Sequence, residues 1–110
     1  MSCIKDSLEV DDQRYTMMYI ELENSILVVF SEGNPRLGTL AAATDIGLSS
    51  IILGGRSILL AKSLALLLFQ RFRIPVILSL YVSEGVNEKR ILDVFLKLLD
   101  RVSRRRAQIV

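Results

Sequence analysis

The sequence predicts an α+β domain: an antiparallel sheet of about six strands carrying two main helices, in the order β-β-β-β-β-α-β-α. Three observations predict it. Up to Gly55 the chain is made of short apolar runs punctuated by turn residues. After Gly55 the apolar residues recur twice at helical spacing, in Ser57–Phe72 and again in Glu88–Arg104. Between those stretches lies a short apolar run that opens on Pro75.

The elements follow in order. Met1–Val10 reads as a strand and Asp11-Asp12-Gln13 as a polar turn. Arg14–Glu23 alternates, with Thr16, Met18, Ile20 and Leu22 on one face and Tyr15, Met17, Tyr19 and Glu21 on the other. Glu23-Asn24-Ser25 connects tightly into Ile26-Leu27-Val28-Val29-Phe30, apolar at every position. That is the pattern of a strand covered on both faces near the middle of a sheet. Ser31–Arg36 is a loop.

Leu37–Thr44 is pulled two ways. Asn34 as N-cap, Pro35 in the first turn and Ala41-Ala42-Ala43 favour a helix, whereas Gly38 and Thr39 oppose it. Asp45-Ile46-Gly47 reads as a turn, and Ser49–Leu53 as a short strand ended by Gly54-Gly55. Ser57–Phe72 is a helix with a narrow polar stripe, Val76–Val82 a strand, and Gly85 and Asn87 open the last helix. The core face of that helix is Ile91, Leu92, Phe95, Leu98, Leu99 and Val102.

With 110 residues the chain makes one domain, 1–110, with a basic tail at about 103–110. It holds no histidine and no tryptophan, and Cys3 is its single cysteine. No Ser-His-Asp or Cys-His nucleophile, histidine acid–base pair or histidine-containing zinc site can be built from it. One cysteine closes no internal disulfide, which fits a reducing cytosol. The longest charge-free stretches, Ile46–Gly55 and Ile74–Ser83, fall far short of the ~20 apolar residues of a spanning helix. The start of the chain has no apolar stretch of the signal-peptide kind. The expectation is a cytoplasmic protein without membrane contact. Charge is divided unevenly: residues 1–55 hold three basic and eight acidic side chains, whereas residues 56–110 hold eleven and four.

Few patterns carry chemistry. Gly54-Gly55-Arg56-Ser57 precedes a helix, where backbone N–H groups hold phosphates, but the longer glycine-spaced loop ending in Gly-Lys-Ser/Thr is missing. It reads as a turn with Ser57 as N-cap. Arg101, Arg104, Arg105 and Arg106 make a basic helix end without interleaved aromatics, which fits a solvated tail or an acidic protein surface better than nucleic acid. The carboxylates of Asp11-Asp12 and of Glu21 and Glu23 have no second catalytic group placed beside them. No enzyme, metal or cofactor is expected.

Three stretches together resemble the proteasome assembly chaperone 3 family, within the chaperone 3/4 group. The first is Ser25-Ile26-Leu27-Val28-Val29-Phe30-Ser31 followed, after Gly33, by Leu37-Gly38-Thr39-Leu40. The second is Ile51-Ile52-Leu53-Gly54 with Leu60-Ala61-Lys62-Ser63-Leu64. The third is Pro75-Val76-Ile77-Leu78-Ser79-Leu80 leading into Asn87–Val102. The resemblance covers roughly residues 15–102. It implies that Gly38–Thr44 is a strand, and that the chain is a non-enzymatic chaperone that dimerises and binds proteasome α-subunits during α-ring assembly. A homodimer is expected, with a heterodimer of related chaperones as the variant. The chain ends Gln108-Ile109-Val110, so the resemblance does not carry over docking through a tyrosine-containing C-terminal tripeptide.

Two surfaces compete for the dimer contact: Tyr15, Met17 and Tyr19 on one sheet face, or Leu59, Leu66 and Leu67 on the first helix. The client surface is expected at Gly33, Asn34, Pro35 and Arg36, extended by Arg101, Arg104, Arg105 and Arg106. The alternatives are a small dimeric α/β scaffold of the roadblock type serving a GTPase pathway, and, third, a phosphate-binding enzyme using Gly54–Ser57.

Overall fold

A computed structural model describes residues 2–45, 49–83 and 85–109, with the side chains of Ser2 and of residues 107–109 left out. Ile46 and Gly47 of the expected turn, and Val110 of the terminal tripeptide, lie outside the described residues. The elements are β1 (Ser2–Val10), β2 (Gln13–Glu21), β3 (Ile26–Glu32), β4 (Thr39–Ala43), β5 (Ser49–Leu53), α1 (Ile58–Phe72), β6 (Val76–Tyr81) and α2 (Glu88–Ile109). The six strands form one sheet in the spatial order β1-β2-β3-β6-β4-β5.

Local chemistry makes the first hairpin. Val10 pairs with Gln13 across a two-residue turn, and both turn residues, Asp11 and Asp12, have positive φ (50° and 65°). Two left-handed residues in succession give a turn whose twist matches that of the flanking strands, and aspartate tolerates this conformation better than most residues. Further on, the Leu22 N–H donates to the Ser25 carbonyl (2.9 Å) and closes the connection into β3.

The sheet is mixed, not purely antiparallel: β3 and β6 run parallel, whereas the other pairs are antiparallel. The cause is the helix between β5 and β6. A strand–helix–strand connection returns the chain in its original direction, so β5 and β6 point the same way on either side of β4. β6 then inserts between β3 and β4, and the β3–β4 connection must cross it.

That crossing explains Gly38 and three buried hydroxyls. A Cβ on Gly38 would stand 2.1 Å from the Leu80 carbonyl oxygen, so only glycine lets the backbone pass β6. The Gly38 N–H donates to Ser79 Oγ (2.8 Å), the Arg36 N–H donates to Ser31 Oγ (3.0 Å), and Thr16 Oγ1 donates to the Gly33 carbonyl (2.8 Å). Thr16, Ser31 and Ser79 are buried because the loop lies over them and takes its backbone partners from them.

Both helices cover the same sheet face. α1 packs chiefly on β4, with β5 and β6 beside it, and α2 packs on β1 and β2. Ile4, Tyr19, Val28, Leu78 and Ala41 align in register across this face and are buried. Phe95 of α2 meets the Phe30 ring edge-on at 5.4 Å, and Tyr15 stacks on Phe30 at 6.0 Å. The alanines that argued for a helix are in β4: Ala41 and Ala43 are fully buried, where small side chains let α1 lie close, and α1 itself buries Ala61 and Ala65.

Asn87 caps α2, its Oδ1 accepting from the Lys89 and Arg90 N–H groups (3.0 and 3.2 Å). Ser57 departs from expectation. It occupies the N-cap position of α1, but with φ 52° and ψ 42°, and its hydroxyl makes no cap bond. α1 ends at Arg73, also left-handed, whose N–H donates to the Phe69 carbonyl (2.7 Å).

Gly38→Ala is expected to destabilise the fold by about 3 kcal/mol or more, since backbone rather than a movable side chain blocks the added methyl group. Ser79→Ala, which removes only the acceptor for Gly38, should cost about 1–2 kcal/mol. Urea denaturation of the two variants checks the ranking.

Candidate functional site

With both helices on one face, the other side of the sheet carries no layer from the described residues. Ile20, Leu27, Ile77 and Ala42 align across it, as do Met18, Val29, Ser79 and Leu40 in the next row. Ile77 is 37% exposed, and Met18, Ile20, Leu27, Val29, Leu40 and Ala42 are half-buried among their own neighbours. Leu53 of β5, opposite Leu40, extends the apolar area to the sheet edge, at 53% exposure. The loop from Gly33 to Gly38 bounds this face at one end, over Thr16, Ser31 and Ser79.

The expected dimer residues divide differently. Tyr15, Met17 and Tyr19 share a face as the alternation says, but it is the helix-covered face, and all three are buried in the chain's own core. They are not available to a partner. Alternation fixes which residues share a face but not which face the helices take. Here the helices take the one with the large aromatic side chains, which supply more area to bury. The usable face is the complementary one, through Met18 and Ile20. Its signal was β3, where Leu27 and Val29 are as apolar as Ile26, Val28 and Phe30 although this chain covers only one side. On α1, Leu59 is 78% exposed, whereas Leu66 and Leu67 are half-buried.

The basic end of α2 is committed within the chain. Arg101 pairs with Asp6 (3.1 Å), Arg105 reaches the same carboxylate (3.8 Å), and Arg106 pairs with Glu21. At the hairpin turn, Arg90 pairs with Asp11 (2.5 Å). Arg101 also donates to the Ser7 carbonyl (3.3 Å) and Arg105 to the Lys5 carbonyl (2.9 Å). Arg104 pairs along the helix with Asp100 (2.9 Å). Expected as a client surface, Arg101, Arg105 and Arg106 instead fasten α2 to the acidic hairpin of β1 and β2. Exposed pairs of this kind contribute little singly.

Glu21 is the most connected of these carboxylates. It accepts from Arg106 and from the Tyr19 hydroxyl (2.7 Å), while the Arg106 guanidinium lies 6.0 Å from the Phe72 ring centre. The Arg106 bond, and then the Tyr19 bond, hold the Glu21 carboxyl below its ordinary range. Burial, and then the bond to Glu21, push the Tyr19 phenol up.

The loop Gly33-Asn34-Pro35-Arg36 is exposed yet anchored. The Gly33 N–H donates to the Arg14 carbonyl (2.7 Å), and the Arg14 side chain bonds Asn34. Arg36 lies over the Tyr81 ring, 5.4 Å from its centre, and donates to the Tyr81 hydroxyl (3.2 Å). Beside it, at the ends of β5 and β6, opens a cavity of about 270 Å³ walled by Gly38, Thr39, Leu53, Gly55, Leu80 and Val82. Gly54-Gly55-Arg56-Ser57 forms part of that wall, with the Arg56 carbonyl accepting from Thr39 Oγ1 (2.6 Å).

Among the described residues no cluster of His, Cys, Asp or Glu has metal-site geometry, and no helix is long and apolar enough to cross a membrane. Asp11 and Asp12 are in the hairpin turn, and Cys3 is exposed on β1. No family model and no curated protein matches the chain.

The Glu21 cluster gives a pH prediction. A carboxylate whose pKa is lowered on folding adds stability above its unfolded value of about 4.3, and that stability is lost as pH falls through the lowered one. Glu21→Gln should therefore flatten the loss of stability below about pH 5. Urea midpoints of wild type and variant at stepped pH measure this.

Proposed function

We propose that the chain is a non-enzymatic assembly chaperone of the proteasome assembly chaperone 3 type, which acts as a dimer and binds proteasome α-subunits. The observation that carries the reading is the apolar sheet face left without a layer. Six strands about 4.8 Å apart and roughly six residues long offer some 30 by 20 Å. That is comparable with the ~800 Å² per partner of a standard interface. An identical sheet packed face to face closes both apolar surfaces at once by a two-fold operation. Met18, Ile20, Leu27 and Val29 replace Tyr15, Met17 and Tyr19 as its residues.

The resembling stretches also support the reading by their place in the fold. Ser25–Ser31 runs into and along β3, Leu37-Gly38-Thr39-Leu40 is the crossing into β4, and Pro75–Leu80 enters and forms most of β6. For client binding, the anchored loop with Arg36 is the better candidate, since Arg101, Arg105 and Arg106 are held by β1 and β2 and Arg104 pairs within α2.

Light scattering at micromolar concentration should give a dimer for the wild type. Ile20→Lys or Val29→Lys should convert it to a monomer, because each places a charge inside the sheet contact, while Leu66→Lys should leave the dimer intact. A monomeric wild type, or loss of the dimer with Leu66→Lys alone, overturns the assignment. Affinity for isolated α-subunits should fall about 30-fold with Arg36→Ala, the effect of a ~2 kcal/mol anchor, at both low and moderate salt. An unchanged affinity in an intact dimer places the client contact elsewhere.

A further inference from the structure

The bare face is uneven, and its unevenness restricts how a second copy can sit on it. At one end the loop from Gly33 to Gly38 stands on the hydroxyls of Thr16, Ser31 and Ser79. Its backbone lies one short side chain plus one hydrogen bond above the strands, about 5 Å. Packed sheets are about 10 Å apart, so the loop backbone alone reaches the midplane of a sandwich. Its side chains, with Leu37 at 66% exposure, take up further room. Two such loops do not fit at the same end.

The two flanks of the face differ as well. β1 presents Cys3, Lys5, Ser7 and Glu9, opposite Ile20, Met18, Thr16 and Arg14 of β2, and all four are exposed. The far flank, β5, presents Ser50 and Leu53, opposite Ala42 and Leu40. One flank is charged and the other is not.

A two-fold axis that packs two sheets face to face lies between them, either along the strands or across them. An axis along the strands sets β1 of each copy over β5 of the other. It superposes the loops and puts Lys5 over Leu53, which share one row of the sheet. An axis across the strands sets every strand over its own copy and sends the loops to opposite ends.

We propose that the second copy packs about an axis across the strands, at the level of Ile20, Leu27, Ile77 and Ala42. The proposal rests on the dimeric reading above and adds the symmetry of the contact. Polar flank then meets polar flank, and the apolar strands meet one another. Leu22, next in the alternation of β2 after Ile20 and 36% exposed, comes to lie over Met18 of the second copy. The two Arg36 loops stand at opposite ends of the dimer, so a client at one loop leaves the other free.

The single native cysteine reports this symmetry. Across the strands, Cys3 of one copy faces Cys3 of the other at about 10 Å, the sheet spacing. Along the strands, the two lie on opposite flanks, about 24 Å apart, or five strand spacings. A short ethylene-bridged bis-maleimide should therefore link the native dimer covalently, as read on a denaturing gel. Cys3→Ser combined with Ser50→Cys should link in the same way from the other flank. Ile20→Lys, as a monomer, should lose the product, which separates linkage within a dimer from chance collision. If light scattering shows a dimer but either single-cysteine chain fails to link, the proposal is overturned. Linkage only in the chain that has both Cys3 and Ser50→Cys would assign the axis to the strand direction. Those failures leave the dimer, and with it the chaperone reading, in place, whereas a monomeric wild type removes both.

Discussion

The insertion of β6 between β3 and β4 is the constraint from which most of this molecule follows. It makes β3 and β6 parallel, and it obliges the loop after β3 to pass over a strand already in place. Gly38 exists because there is no room for a side chain at the crossing, and Thr16, Ser31 and Ser79 exist as hydroxyls because the crossing backbone needs partners. The same insertion leaves the ends of β5 and β6 flanking the start of β4, where the cavity opens. The α1 crossover that delivers β6 lies on the sheet face that α2 also uses, and that leaves the opposite face bare. The bare face and the tight crossing have one origin.

Charge follows a parallel logic. The acidic first half and basic second half look, as a sequence, like a molecule with two electrically different ends. In the folded chain the two halves neutralise one another, with Asp6, Asp11 and Glu21 on the hairpin answering Arg101, Arg105, Arg90 and Arg106 on α2. The long-range field available for steering a partner is correspondingly reduced. Arg36 becomes conspicuous because the larger basic cluster is already engaged.

What could be read from the sequence was periodicity and punctuation. The alternation in β2, the uniform apolarity of β3, the Asp-Asp turn and the Asn87 cap all correspond to local preferences and appear where expected. What could not be read were decisions made by tertiary packing. Ala41-Ala42-Ala43 has helical propensity but forms the strand that only the resemblance implied, because α1 needs small residues beneath it. Tyr15, Met17 and Tyr19 went to the inner face because that is where two helices can bury aromatic area. Ser57 stands where an N-cap should, but its left-handed backbone leaves the hydroxyl unused. The arginines of α2 carried no local sign that their partners lay some 80 to 100 positions earlier.

That separation bears on how the protein comes into being. The bonds from Arg101 and Arg105 to the outer edge of β1 span 94 and 100 positions, so they belong to the last native contacts that a chain emerging from the ribosome can make. The hairpin of β1 and β2 can form early, being local, but its outer edge has no cover until α2 has been synthesised and docked. During that interval a nine-residue strand edge is open to other nascent chains. The charged side chains of Lys5, Asp6 and Glu9 then act as an interim guard, protecting in the unfinished chain the edge that the arginines close in the finished one.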